Sequence, residues 1–415
     1  MERIIFHVDV NSAFLSWSAV KRLKEDPASV DLRTIPSAVG GDVETRHGII
    51  TAKSIPAKKF GVTTGEPVTK ALQKCPGLIL VSSDWQTYRQ YSRAFISILH
   101  EYSGIVEQAS VDEAYVDMTE AASDRCEAER LAAKIREEVR TRLGFTVNVG
   151  ISSNKLLAKM ASDFQKPDRT HTLWPEEIQT KMWPLPIGSL YGCGSKTAGR
   201  LSGIGIVTIG DAAAAELSVL QSFLGEKGGA YICRAAHGIG SARVQTQSED
   251  AKSYSNETTT AEDVTVKNYE RLALPLIRHL SEKVALRLQR DKVYGSTVIV
   301  SVKTSDFRRH SRQKKLSSST NDASVIFRNA RELLQGLLYE ENGIFDRGAG
   351  VRLIGVGVST LDRGEYRQMD FDGFLQQQKE EKEQAAIREK RNRLDDMMRT
   401  VQARYGTDMI HRGIP

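Results

Sequence analysis

The segment Ala109–Met118, ASVDEAYVDM, sets Asp112 and Glu113 side by side at the head of an apolar strand, with Asp117 near its end. A second apolar segment, RIIFHVDV, closes on Asp9 and Val10. Acidic side chains are rarely buried without a partner, and neighbouring carboxylates raise one another's pKa unless a cation intervenes. If the two strands are adjacent and central in one sheet, Asp9, Asp112 and Glu113 converge. Two divalent cations roughly 3.5–4 Å apart would neutralise them and clamp both reacting oxygens of an in-line phosphoryl displacement. An oxygen-only ligand set with positions left for water and phosphate suits magnesium, two ions per site, and the Val10 carbonyl offers one more oxygen. For any single Asp–Glu pair the competing reading is a solvated strand end.

Three further segments carry positive charge or open backbone. IPAKKFG holds Lys58 and Lys59, and Lys166 lies near the end of NKLLAKMASDFQKP; cations from two elements could hold a triphosphate, although each lysine alone reads as a surface residue. In LPIGSLYGCGSKTAGRLSGIGIVTIGD, Gly192 and Gly194 make a tight turn into a helix that begins near Lys196. Backbone N–H groups at such a helix start can grip phosphate without reading sequence. DFRRHSRQKKLSSS follows an alternating strand and carries Arg308, Arg309, Arg312, Lys314 and Lys315. It tracks phosphates if the strand faces nucleic acid, and is a charged edge guard if it does not.

The elements that must position these groups alternate strand and helix. After RIIFHVDV, an amphipathic helix runs through DWQTYRQYSRAFISILHEYSG, and two strands join tightly around Ser110. Leu131, Ile135, Val139 and Leu143 recur at four-residue spacing on the next helix, TVNVGIS returns as a strand, and a last helix stops by Pro167. The order predicts helices packed on one face of an antiparallel-type sheet. About 70 residues between the first strand and the first of these helices are too many for a plain loop and predict an inserted subdomain. Gly-broken short helices occupy about 174–240, and a polar linker leads to a second α+β pattern. That pattern has Ile277, Leu280, Val284 and Leu288 on one helix, Val298, Val300 and Val302 alternating on a strand, and VRLIGVGVS at its end. From Gln376 the chain is charged and nearly free of aromatics.

With 415 residues the chain exceeds one ordinary core, so two to four domains are expected. Its 40% hydrophobic and 27% charged residues fit a globular protein, and no apolar run is long enough to span a bilayer. The start at RIIFHVDV predicts no signal peptide and a cytoplasmic location. Four scattered cysteines argue against a zinc site or disulfide framework. A net charge of +6 is weak evidence for a polyanionic partner.

Taken together, these segments resemble the Y-family translesion DNA polymerases, most closely the DinB branch. HVDVNSAF resembles the first acidic motif of that family and SVDEAYVD the second. GIITAKSIPAKKFGV resembles its nucleotide-gripping fingers segment, VGISSNKLLAKMASDFQKP its third block and LYGCGSKTAGRL its thumb helix-hairpin-helix. The resemblance spans residues 3–362 in order. It implies an α+β multidomain right hand with a ferredoxin-like palm (1–12 and 84–173), small fingers (13–83), a helix-hairpin-helix thumb (174–238) and a linker (239–252). An α+β little finger (253–362) and a charged tail (363–415) complete it. It also implies error-prone template-directed synthesis by a monomer acting on primer-template DNA and dNTPs. By the same analogy Asp9, Val10, Asp112 and Glu113 hold metal. Asn11, Ser12, Ala13, Phe14, Thr51, Lys58 and Lys166 bind nucleotide, and Gly192, Gly194, Lys196 and the basic tract bind DNA. Phe14 falls at the steric gate that excludes a ribose 2′-OH; read without the family it is a core aromatic. Gln368, Met369 and Phe371 loosely resemble a sliding-clamp peptide. Ala52 and Ile55 stand where the family has a Thr and a Tyr hydroxyl, and Lys58 stands for Arg, which loses a bidentate fork. Asn11 and Ala13 replace a more usual acid and aromatic. A nucleotidyl cyclase or a DNA-binding protein with an inactive palm remain the alternatives.

Overall fold

The computed structural model describes residues 2–41, 48–247 and 250–363, together with residue 397. The chain forms two compact units, divided between residues 249 and 250. The first unit opens with strand β1 (Ile5–Val10) and helix α1 (Ala13–Glu25). An insertion follows, with strands β2 (Ser37–Gly40) and β3 (Ile50–Lys53), helices α2 (Ile55–Lys59) and α3 (Val68–Lys74), and strand β4 (Ile79–Val81). The chain continues through α4 (Trp85–His100), β5 (Val106–Gln108), β6 (Glu113–Asp117), α5 (Arg125–Glu138), β7 (Val147–Ser152), α6 (Lys155–Ser162) and β8 (Thr170–Thr172). Helices α7 (Ser195–Ser202), α8 (Ile209–Ala214) and α9 (Leu217–Ala236) close the unit.

The main sheet has the order β5-β6-β1-β7-β8, and its neighbours are antiparallel except for β7 and β8. Every residue of the central β1 is buried, because both faces of the sheet are covered. Phe6, Val8, Val116 and Val149 pack against Trp17 of α1, Phe95 of α4 and Ile135 of α5 in one core. Here the fold departs from the one-faced packing that the element order predicts: α6 lies on the opposite face. Gly150 makes this possible. A Cβ there would stand 2.0 Å from the Ala158 carbonyl oxygen and 2.4 Å from the Ser162 nitrogen, so only glycine lets the helix backbone touch the sheet. The helix also stops at Ser162, short of the Pro167 boundary, because Asn148 Nδ2 takes the Ser162 and Gln165 carbonyls at 3.0 and 2.7 Å.

The insertion forms a small sheet of order β3-β2-β4 over Ile50, Val68, Ala71 and Cys75. Helix α1 serves both sheets: Trp17 and Val20 enter the main core, while Leu15 and Ala19 meet Val39 and Ala52. In the helical segment, Gly192 has φ 83°, and a Cβ there would meet the Tyr231 hydroxyl at 2.5 Å. The Gly192 turn is thus held by close packing as well as by backbone conformation.

The second unit comprises β9 (Ser253–Val264), α10 (Tyr269–Arg290), β10 (Tyr294–Thr304), β11 (Arg309–Thr320), α11 (Ala323–Tyr339) and β12 (Val351–Asp362). Its antiparallel sheet has the order β11-β10-β12-β9. Val298, Val300 and Val302 of β10 pack with Ile277, Leu280 and Val284 of α10 and Ile326 and Leu334 of α11. The architecture is α+β and multidomain. Among the described residues no helix is long and apolar enough to cross a membrane.

Candidate active site

The antiparallel register of β1 and β6 sets Asp9 directly opposite Glu113, and the Val10 N–H donates to the Asp112 carbonyl at 3.0 Å. Side chains opposite each other in a ladder share a face, and for Asp9 and Glu113 that face is the one covered by α6. Asp112 precedes β6 in the turn, where Ser110 Oγ donates to its Oδ1 at 2.7 Å. Of the three acids, Asp9 and Asp112 line the adjoining cavity and Glu113 does not.

Two lysines answer the acids. Lys159 Nζ, buried on α6, is 3.3 Å from Asp9 Oδ2 and 2.7 Å from Glu113 Oε1. Lys166 Nζ is 2.9 Å from Asp9 Oδ1 and 2.8 Å from Asp163 Oδ1. Burial pushes the Asp9 carboxyl up to about 6 in spite of Lys166 and Lys159. The His7 ring, with Nε2 3.8 Å from Glu113 Oε2, and the Lys159 ammonium hold Glu113 well below the usual carboxylate range against its partial burial. Burial disfavours charge on Lys159, but Asp9 and Glu113 outweigh it and raise its pKa. Burial lowers His7, whose Nδ1 meets Ser162 Oγ at 2.8 Å.

A cavity of about 230 Å³ opens beside this cluster. Asp9, Val10 and Asp112 form one wall; Ser12, Ala13 and Phe14, at the start of α1, form another; Thr51, Ala52 and Lys53 of β3 with Thr64 form a third. Ser12 has left-handed backbone (φ 47°), and the first turn of α1 has neither a side-chain cap nor an acidic residue, so its amides are open to an anion. Phe14 stacks on Tyr88 with centroids 4.7 Å apart and meets Trp85 edge-on at 5.4 Å.

Three residues grouped with the nucleotide on sequence are not part of the cavity wall: Lys58, Asn11 and Lys166, the last held beside Asp9. Lys58 is exposed on α2 and forms no part of the cavity wall. Alternation along β3 instead turns Thr51 and Lys53 to one side, and Lys53 Nζ donates to Thr64 Oγ1 at 3.1 Å. Burial and the Lys58 charge lower the Lys53 pKa. Asn11 is buried and bonds to Asn148 rather than facing the cavity. Sequence reasoning missed Lys53 and Lys159; the period-2 pattern of ITAK could have found the first, whereas Lys159 sits in an amphipathic run where a lysine reads as solvent-facing.

The basic tract is divided by its strand. Arg312 and Lys314 oppose the core residues Val300 and Val298, and pair with Glu340 and Glu332 at 2.5 and 2.7 Å. Arg309 and Lys315 oppose Lys303 and Thr297 on the other face, where Arg309 pairs with Glu257 at 2.9 Å. Arg308, in the turn before β11, is highly exposed. Gly192, Gly194 and Lys196 lie exposed at the uncapped start of α7. Gln368, Met369 and Phe371 fall outside the described residues.

Among the described residues no three acidic, His or Cys side chains gather as a metal cluster; Lys159 stands between Asp9 and Glu113. The donor chemistry nevertheless fits a hard divalent ion. The Asp9 and Asp112 carboxylates line the cavity and, with Glu113 and the Val10 carbonyl, offer only oxygen donors.

Comparison with known proteins agrees with this architecture. The impB/mucB/samB family matches residues 8–163, its C-terminal domain residues 251–371 and its helix-hairpin-helix motif residues 175–206. A DNA polymerase IV of Clostridium acetobutylicum is 36% identical over 415 residues, covering 100% of this chain and 98% of that protein. DNA polymerase IV 1 of Bacillus subtilis is 34% identical, covering 99% and 92%. A Y-family DNA polymerase chimera of Dbh and Dpo4 superposes with a TM-score of 0.74 at 26% identity, over 86% of this chain and 98% of that one. With its three matched regions in order and near-complete coverage of these relatives, the chain belongs to the impB/mucB/samB family, in the DinB-like branch of the Y-family DNA polymerases.

Proposed function

We propose that this chain is a template-directed DNA polymerase that adds dNTPs to a primer 3′-OH, with translesion synthesis in DNA repair as its role. The observation that carries the reading is one cavity walled jointly by Asp9 and Asp112, the uncapped start of α1, and Phe14. Carboxylates, phosphate-binding amides and a sugar-sized aromatic are the three things a dNTP requires at once.

In this reading Asp9, Asp112, Glu113 and the Val10 carbonyl hold two magnesium ions. When bound, these supply Lewis acidity at the primer hydroxyl and charge neutralisation at the triphosphate. The α1 amides receive phosphate oxygens, and Lys53 and Lys166 add positive charge on two sides. Phe14 lies under the sugar. No side chain forms a covalent bond; the protein contributes positioning and electrostatics. Gly192, Gly194 and Lys196 at the α7 start, and Arg308, Arg309 and Lys315 of the second unit, contact DNA phosphates. Arg312 and Lys314 do so after leaving their glutamate partners. Gln368, Met369 and Phe371 engage a sliding clamp, and the enzyme works as a monomer.

Primer extension with dNTPs and magnesium, comparing the native chain with Asp112→Ala, tests this. Extension by the native chain and its collapse in the variant are expected. Equal extension by both, or cyclic nucleotide production, overturns the reading.

A further inference from the structure

Lys166 is a flexible point charge on a four-carbon stem, so where its ammonium acts depends on how firmly its backbone is held. The backbone on either side of it is held by two amides that the chemistry above does not use. Asn11 Oδ1 accepts from Thr146 Oγ1 at 3.0 Å and from the Asp168 N–H at 2.9 Å, while Asn11 Nδ2 donates to Asn148 Oδ1 at 3.1 Å. Asn148 Oδ1 also accepts from the Arg169 N–H at 3.2 Å, and its Nδ2 donates to the Ser162 and Gln165 carbonyls at 3.0 and 2.7 Å. Both amides are buried. Together they fix residues 162, 165, 168 and 169, and Lys166 lies between. Outside, Arg136 Nε and Arg140 Nη1 hold the Asp168 carboxylate at 2.9 and 2.8 Å.

We infer that Asn11 and Asn148 are positioning residues that clamp the α6–β8 loop to the ends of β1 and β7, and so deliver the Lys166 ammonium to the Asp9 side of the nucleotide site. The inference rests on the reading that Lys166 meets the incoming triphosphate. It also explains why an amide stands at position 11. Each polar atom of Asn11 is committed, its oxygen as acceptor and its nitrogen as donor. An aspartate of the same shape keeps the acceptor, loses the donor and turns a buried oxygen toward Asn148 Oδ1.

The test uses the full chain with Asn11→Asp, and Arg140→Gln as a milder loosening from the exposed side should the first variant fail to fold. Hydrogen exchange of the Asp168 and Arg169 amides, the KM for dNTP and primer-template affinity are measured in the native and Lys166→Met backgrounds. For Asn11→Asp, faster exchange at both amides, a dNTP KM raised about tenfold and unchanged DNA affinity are expected in the native background, with no added KM effect in Lys166→Met. Arg140→Gln should move exchange and KM the same way by about two- to threefold. Unchanged exchange overturns the clamp. A KM effect that persists in full without Lys166 overturns the route through that lysine. If Lys166→Met alone leaves the dNTP KM unchanged, the reading of Lys166 fails instead, and the exchange data still decide whether the amides hold the loop.

Discussion

Asp9 and Glu113 stand opposite each other on adjacent strands, and the cation between their carboxylates is Lys159, 3.3 Å from one and 2.7 Å from the other. Removing one partner from a buried charge cluster leaves the rest uncompensated, a loss of about 3 kcal/mol where burial is nearly complete and less where, as at Glu113, solvent still reaches the group. Lys159→Met keeps the apolar stem and deletes the charge. It should lower the thermal midpoint, and added magnesium should recover more of the loss than it adds to the native chain, because the acids then lack their resident cation. Midpoints of both proteins with and without magnesium decide this; an equal magnesium-induced rise in both would remove Lys159 from its position between the acids.

The same site sets a pH dependence. The folded-state pKa of Asp9 is pushed up to about 6 by burial, above its ordinary value of 3.8. Between these values the folded chain binds more proton than the unfolded one, so the stability associated with neutral Asp9 is present at low pH and lost as pH rises through 6. Glu113 is displaced the other way, and its contribution is lost as pH falls below the ordinary range of a glutamate. Asp9→Asn mimics the neutral form. In chelator-treated protein its stability relative to the native chain should be lowest below about pH 4 and rise between about pH 4 and 6, the gain reaching on the order of 1–3 kcal/mol near pH 7.5. A difference that does not vary with pH would show that Asp9 does not titrate in this window.

Much of this site could be read from residue type and order, and the part that could not has definite causes. Acids at the ends of apolar strands announce Asp9, Asp112 and Glu113. That Asp9 stands across the ladder from Glu113 follows from a register set by strands more than a hundred residues apart. Which side of the sheet α6 takes depends on the bare backbone of Gly150 meeting Ala158 and Ser162, a contact no periodicity encodes. Charge runs mislead for a related reason. Lys58 and Lys59 look like the gripping cations of the insertion, but helix α2 turns Lys58 to solvent while strand alternation brings Lys53 to the cavity. Alternation likewise divides Arg309 and Lys315 from Arg312 and Lys314, so five adjacent charges do not make one surface.

Phe14 tests the proposed sugar selection. Its residue forms part of the cavity wall and its ring is backed by Tyr88, Trp85 and Trp17, so it cannot swing away without breaking three aromatic contacts. A rigid ring under the sugar would clash with a 2′-OH. Phe14→Ala should raise the efficiency of rNTP relative to dNTP incorporation by about 10²-fold, the scale of discrimination a shape-based contact supplies. Some stability is lost as well, since the aromatic stack loses a member. The check is the ratio of kcat/KM for matched rNTP and dNTP in both proteins; an unaltered ratio takes Phe14 out of the gate.

Lys53 and Lys58 offer a direct comparison within one short segment. Lys53 lines the cavity, donates to Thr64 Oγ1 and takes part in none of the ion pairs found among the described residues, while burial and the Lys58 charge lower its pKa. A half-buried ammonium with no ion pair to the described carboxylates gains most from an arriving anion, because the triphosphate replaces solvation that the site has already removed. Lys58, exposed on α2, has lost little solvation and acts on the cavity only at longer range through screened charge. Lys53→Met should therefore raise the dNTP KM by about tenfold, a charge-assisted hydrogen bond's worth of binding, with kcat changed far less. Lys58→Met should change KM less than threefold, and its small effect should fade as salt is raised. Steady-state kinetics of both variants at two salt concentrations separate the roles. A larger and salt-resistant effect at Lys58 would return the phosphate-binding task to the position that family resemblance first suggests.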